Sequence, residues 1–201
     1  MAPTSSVSFP VTSSDTTEGT VSTLTLSYST SNWNTAQTVT VYGVDDTLSD
    51  DNQAFSVTLG SVTSSDANYA GKNPDDVRVT NVDNETASIT VSALSGNTTE
   101  MGGTATFTVV LGSQPTSDVS IAVSSSDTSE ATISPSSLTF DSSNYSTLQT
   151  VTVTGVDDFY DDDNVSYTIT VDPSSSIASY NTMTIPRSQA QISTMIQQQL
   201  P

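Results

Sequence analysis

The chain has 201 residues, 22 of them acidic and three basic, for a net charge of −19. Such a charge repels phosphate backbones and anionic lipid, which excludes nucleic acid and membrane surfaces as natural partners. With neither histidine nor cysteine present, the usual zinc, copper and haem sites, disulfides and a serine–histidine nucleophile are excluded as well.

Residues 1–6 carry neither a basic nor an apolar segment, so no secretory signal is visible. That pattern suits an internal piece of a larger secreted protein, or a chain that reaches its destination by another route such as virion assembly. From residue 7 onward apolar residues alternate with Ser and Thr. Val7, Phe9 and Val11 share one face; Leu24, Leu26 and Tyr28, then Val39 and Val41, then Phe55, Val57 and Leu59 repeat the pattern. Period two over short runs bounded by Ser, Asn, Asp, Gly and Pro predicts half-buried antiparallel strands. No apolar run approaches membrane-spanning length, so membrane insertion is not expected.

The pattern then returns. A shift of 112 positions (Val119 minus Val7) aligns 7–59 with 119–171 without a gap, and roughly half of the aligned residues are identical. SSDTTEGTVS at 13–22 becomes SSDTSEATIS at 125–134, and NWNTAQTVTVYGVDD at 32–46 becomes NYSTLQTVTVTGVDD at 144–158. The second copy has its own strands, with Val119, Ile121 and Val123, Leu138 and Phe140, Val151 and Val153, and Tyr167, Ile169 and Val171 in the equivalent places. It is also preceded by ASITVSA at 87–93 and TATFTVVL at 104–111, for which the first copy has no counterpart. Many short strands with no helix between them predict an all-β fold of two tandem sandwiches. The first is truncated by two strands (1–86) and the second is nearly complete (87–185). The strands at 87–111 either stay with the second copy or fold back onto the first.

Residues 186–201 lie outside the repeat. Ser188 followed by Gln191 reads as a capping box, and Ile192, Met195, Ile196 and Leu200 fall on one helical face. The segment is either a short helix docking on a partner or a frayed tail, since isolated helices of this length are marginal.

Each copy sets a carboxylate cluster directly after a strand: VDDTLSDDN at 44–52 and VDDFYDDDN at 156–164, with a third patch, NVDNE, at 81–85. Dense hard oxygen donors at a strand-to-loop boundary suit calcium, which takes six to eight oxygens in loose geometry. The bland alternative is a solvated acidic loop that keeps a sheet edge soluble. The stretch from Ser125 to Asn164, with TTEMGGTATFTV at 98–109 before it, resembles the Calx-beta repeats of large bacterial surface proteins, which are related to the calcium-binding domains of sodium/calcium exchangers. The resemblance covers nearly all of 1–185 and implies immunoglobulin-like sandwiches that bind calcium at one end. Carried over position by position, it implies metal ligation by Glu100, Asp157, Asp158, Asp162 and Asp163 in the second copy, and by Asp45, Asp46, Asp50, Asp51 and Asp83 in the first. The family's closing aspartates should fall near 186–188, where Pro186, Arg187 and Ser188 stand; the first copy lacks the glutamate. Asp157 and Asp158 match Asp45 and Asp46, whereas Asp161 matches Ser49 and should matter less.

Other features take plainer readings. Trp33 and its counterpart Tyr145 are core or rim aromatics. The register-matched Glu18 and Glu130 organise a turn, and the Asn-X-Ser/Thr matches are expected by chance in so Ser/Thr-rich a chain. No phosphate-cradling glycine loop or paired acid and base is visible, and catalysis is not expected. The expected function is a structural or assembly role at an extracellular surface, cell surface or virion, with copies of itself or neighbouring subunits as partners. The alternative is a ligand-binding segment of a large bacterial adhesin recognising glycan or protein.

Overall fold

A computed structural model describes residues 1–157 and 163–185 and the backbone of 188–193. The chain divides into two compact units, one of Met1–Asp46 with Asp50–Asn84 and one of Thr47–Ser49 with Glu85–Pro201. Both are built from antiparallel strands and form immunoglobulin-like sandwiches.

The first unit comprises β1 (Val7–Ser13), β2 (Gly19–Val21), β3 (Thr25–Tyr28), β4 (Val41–Gly43), β5 (Gln53–Leu59), β6 (Thr63–Ser64) and β7 (Val77–Asn81). One sheet runs β3-β1-β5-β7, with β6 also on β1; the facing sheet is β2 paired with β4. Alternation drives the burial: Val11, Leu26, Phe55 and Val57 form its buried core. The start of the unit is tied down by Asp66, whose Oδ2 accepts the Thr4 N–H at 2.8 Å and hydroxyl at 3.0 Å. Its Oδ1 accepts both the backbone and side-chain N–H of Asn68.

The second unit comprises β8 (Ile89–Val91), β9 (Thr98–Thr99), β10 (Thr104–Leu111), β11 (Val119–Ser125), β12 (Ala131–Ser134), β13 (Ser137–Phe140), β14 (Gln149–Gly155), β15 (Ser166–Ser175), α1 (Ala178–Asn181) and β16 (Ser188–Ser193). Its two sheets run β12-β14-β10-β8 and β13-β11-β15-β16-β9. Phe107, Val109, Ile121, Phe140, Val151, Val153, Ile169 and Tyr180 are wholly or almost wholly buried between them. The strands at 87–111 therefore belong to the second unit, where β10 pairs with β14 on one side and β8 on the other.

The two units repeat in register as well as in sequence. Val7 faces Tyr28 and Val119 faces Phe140; Val11 faces Leu59 and Val123 faces Val171; Gly19 faces Gly43 and Ala131 faces Gly155. Every pair is related by the same 112-residue shift (for example, Val119 minus Val7).

The segment 188–193 is a strand, which corrects the helical reading of the tail over those residues. β16 pairs antiparallel with β15 and parallel with β9, filling the place that β7 holds beside β5. SQAQIS alternates with period two as readily as it fits a helical stripe, and an open strand edge on β15 decides between them. Met195, Ile196 and Leu200, the rest of the supposed stripe, lie outside the described residues.

Gly19 sits against the ring of Phe55, where a Cβ would come within 2.1 Å of the ring's Cζ. Its counterpart Ala131 faces Tyr167, whose hydroxyl shares a hydrogen bond of 2.8 Å with Thr98 Oγ1 of β9. Replacing Gly19 with alanine should cost about 1–3 kcal/mol of stability by overpacking. Chemical denaturation of G19A beside the parent chain measures it, and an unchanged midpoint would show that the ring moves freely.

Candidate functional site

The acidic end of the first unit is assembled from three places in the chain. β4 delivers Asp45 and Asp46 into the loop that leads to β5, the turn before β5 carries Asp50 and Asp51, and the end of β7 brings Asp83. Asp83 Oδ2 accepts the backbone N–H of Asp50 at 3.2 Å and of Asp51 at 3.0 Å. In return Asn52 Oδ1 accepts the Asp83 N–H at 3.0 Å. The carboxylate thus closes the turn, and Asp51 takes a left-handed backbone conformation with φ of 65°, one that Asp and Asn tolerate better than most residues. Gln53 Nε2 completes the turn by donating to the Asp50 carbonyl at 2.6 Å.

Two residues that the sequence reading left out belong to this end. Asn81 Nδ2 donates to the Val44 carbonyl at 2.7 Å and to Glu18 Oε2 at 3.3 Å, while the Val44 N–H donates to the Glu18 carbonyl. Glu18 does organise a turn, and its side chain also reaches the acidic end. The signal for it was present: Glu18 recurs as Glu130 at the same repeat position, and Val156 N–H donates to the Glu130 carbonyl as Val44 N–H does to that of Glu18.

Asp45, Asp46 and Asp51 are exposed, and Asp50 and Asp83 are half-buried. Burial, followed by the charges of Asp46 and Asp83, pushes the Asp50 carboxyl above the ordinary value. Like charges are therefore held against one another here at neutral pH. The donors are carboxylate oxygens, which in type suit a hard divalent cation. Among the described residues, however, no three acidic side chains are gathered closely enough to hold a metal ion.

In the second unit Asp157 is exposed just beyond β14, Glu100 is half-buried in the turn after β9, and Asp163 is exposed with φ of 62°. Asp163 thus repeats the left-handed conformation of Asp51 (163 minus 112). Asp158 and Asp162 lie outside the described residues, as does Asp161. Because β16 takes the closing place, Thr194 rather than 186–188 corresponds to Asp83, by the offset that relates Thr80 and Gln191 in the two strand pairs (191 minus 80). A closing carboxylate is absent from that sequence position too.

At the other end of the first unit an apolar cavity of about 650 Å³ opens between Val7, Phe9, Tyr28, Trp33 and Tyr69. Phe9 and Tyr28 stack with centroids 6.3 Å apart. Trp33 is 41% exposed at its margin, which makes it a rim aromatic.

No family model matches the chain, and no curated protein matches it. Solved structures similar to it include domains 4 and 5 of the S-layer protein SbsC, at 18% identity and TM-score 0.38, covering 92% of this chain and 75% of that one. A structure of surface layer protein SbsC domains 1 to 6 matches at 18% identity and TM-score 0.38, over 92% of this chain and 20% of that one. A C. elegans MSP family member matches at 13% identity and TM-score 0.34, over 55% of this chain and all of that one. Likenesses at these values carry no argument about what this chain binds or joins.

The carboxylates set opposite pH dependences. The raised value of Asp50 means that its ionised form costs stability at neutral pH, and the cost disappears as pH falls through that raised value. Asp15, Asp127 and Asp141 are held below the ordinary value chiefly by the hydroxyls of Thr17, Ser129 and Ser143. Asp66 is lowered to about 2, chiefly by the Thr4 N–H. Their contribution is present above about pH 4 and is lost as pH falls through the lowered values. In chelator, stability should therefore rise as pH drops from 7 to about 5 and fall below about 4. Urea midpoints across that range measure it; a flat profile between pH 7 and 5 would contradict the repulsion at Asp50.

Proposed function

We propose that the chain is a non-catalytic structural module of an extracellular surface that joins neighbouring polypeptides in a larger assembly, with calcium stiffening its acidic loop. The observation that carries the assembly reading is the unequal completeness of two units that share one register. In the second, β14 is flanked by β12 and β10; in the first, β4 pairs with β2 alone among the described residues. A free edge beside an apolar interior is a site for joining another chain.

The resemblance of the repeats to Calx-beta modules supports a surface location and a calcium-dependent role. The like-charge contacts of Asp50 with Asp46 and Asp83 supply the physical reason for a cation there, because a divalent charge would relieve them. Those three residues would hold it, and Asp83 would have to serve the ion while also receiving the two N–H groups of the turn. No residues of the described chain are assigned catalytic work.

Binding to the folded state alone raises stability by RT ln(1 + [L]/Kd), about 2.7 kcal/mol at a hundredfold excess over Kd. Melting in millimolar calcium should exceed melting in chelator and in magnesium at matched ionic strength. D50N should melt higher than the parent in chelator, because it removes a repelled charge, and should lose most of the calcium response. Equal melting in calcium and magnesium would reject the calcium reading. Light scattering on the same samples tests assembly: a monomer at every concentration, with and without calcium, would reject it.

A further inference from the structure

The interior of the first unit differs from that of the second at matched positions. Val151 and Val153 are completely buried, while their counterparts Val39 and Val41 are only half-buried. Ile121 and Phe140 are completely buried, while Phe9 and Tyr28 are half-buried, and Gly155 is buried while Gly43 is exposed. In the second unit the difference is made by β10. Its Phe107, Val109 and Leu111 join Val119, Ile121, Phe140 and the partly buried Tyr145 in one core cluster. The cavity of the first unit is lined by the counterparts of the last four, namely Val7, Phe9, Tyr28 and Trp33. It lies where the second unit packs the end of β10.

The backbone agrees. In the second unit Leu111 N–H donates to the Tyr145 carbonyl at 3.0 Å, and β10 pairs with β14 from Thr104 opposite Thr154 to Val109 opposite Gln149. The matching positions in the first unit are the Trp33 carbonyl and the stretch 37–42, and no strand pairs with β4 on that side among the described residues. The surrounding frame is nonetheless in place. Tyr69 donates its hydroxyl to the Met1 carbonyl, as Tyr180 does to that of Ser113.

We propose that the first unit is an acceptor for an extended β-strand with the alternating Thr/apolar chemistry of Thr104–Leu111, donated by a second polypeptide. The donor runs antiparallel to 37–42. Residues equivalent to Ala105 and Phe107 stand opposite Val41 and Val39, and a residue equivalent to Leu111 enters the cavity beside Trp33. The chain's own β10 is not the donor, because β14 and β8 hold it on both edges and its inward side chains are buried. Pairing supplies backbone hydrogen bonds, and the alternate side chains select the sequence. The proposal rests on the assembly reading and names the chemistry of the partner.

Trp33 is the chain's single tryptophan, so its emission reports the site. The probe is a synthetic peptide of Thr104–Leu111 flanked by lysines, titrated into the full chain. The expected result is a saturable shift of emission to shorter wavelength at one peptide per chain, with the amides of 37–42 gaining protection from hydrogen exchange. The same peptide carrying Phe107→Ser and Val109→Ser should bind at least about tenfold more weakly, since two buried apolar groups are lost. As a second readout, residues 87–111 fused ahead of Met1 through a flexible linker should raise the melting temperature, shift the emission and abolish the titration.

No emission change with either the peptide or the fusion would overturn the proposal. So would a chain that already self-associates with 37–42 protected, because the occupant would then be a second copy's edge. Assembly in calcium without peptide binding would leave the assembly reading standing and remove this one. Peptide binding by a chain that never assembles would do the reverse.

Discussion

A β-sandwich buries an apolar side chain only where the opposite sheet supplies a surface to receive it, and that reciprocity governs both units. Val39 and Val151 occupy the same repeat position, within the same strand context, yet one is half-buried and the other is sealed. The side chain is identical, so the difference lies in what stands across from it. The second unit offers Phe107, Val109 and Leu111 from β10, whereas the first offers a cavity rimmed by Trp33. Apolar area removed from water is the main term favouring a fold, and here it is distributed unequally between two nearly matching frames.

The charge is handled by short-range hydrogen bonds rather than by ion pairs. With three basic residues against 22 acidic ones, most carboxylates must be satisfied by N–H and hydroxyl donors. Asp15 takes the backbone N–H and hydroxyl of Thr17, Asp127 those of Ser129, and Asp141 those of Ser143. Such turns explain the abundance of Ser and Thr beside Asp, since each pair fixes a loop locally. Asp66 uses the same chemistry over a long sequence distance to hold the first residues against the frame. Asp50 is the exception. Its carboxyl lies near two others, and no donor offsets its burial and their charges in full.

The fold was largely legible because period-two alternation and a gap-free repeat reinforce one another. Aligning Val7 with Val119 predicts the register of β1 with β3 and β5 from that of β11 with β13 and β15. The tail was less legible for a definite reason. In QISTMI the apolar residues satisfy helical spacing, while QAQI satisfies strand spacing; only the vacant edge of β15, a tertiary feature, chooses the strand over 188–193. Local pattern cannot anticipate a partner that lies over twenty residues upstream (Gln191 minus Ser166). The acidic loops were visible as clusters, but their internal arrangement was not. That Asp83 spends an oxygen on the Asp50 and Asp51 amides follows from where β7 ends, and that Glu18 reaches Asn81 follows from the pairing of β2 with β4.

The contact between Gly19 and Phe55 has a consequence for heredity. The two copies are most alike over 32–46 and 144–158, so a coding sequence that preserved this likeness would favour unequal crossing-over there. One recombinant would join Ala131 upstream to Phe55 downstream, setting a methyl group where the ring stands. The reciprocal product would join Gly19 to Tyr167 and leave a gap the size of that methyl. Gain or loss of modules by this route would thus be filtered by one pair of residues on either side of the exchange. Such a filter favours exchanges that carry β2 and β5, or β12 and β15, together.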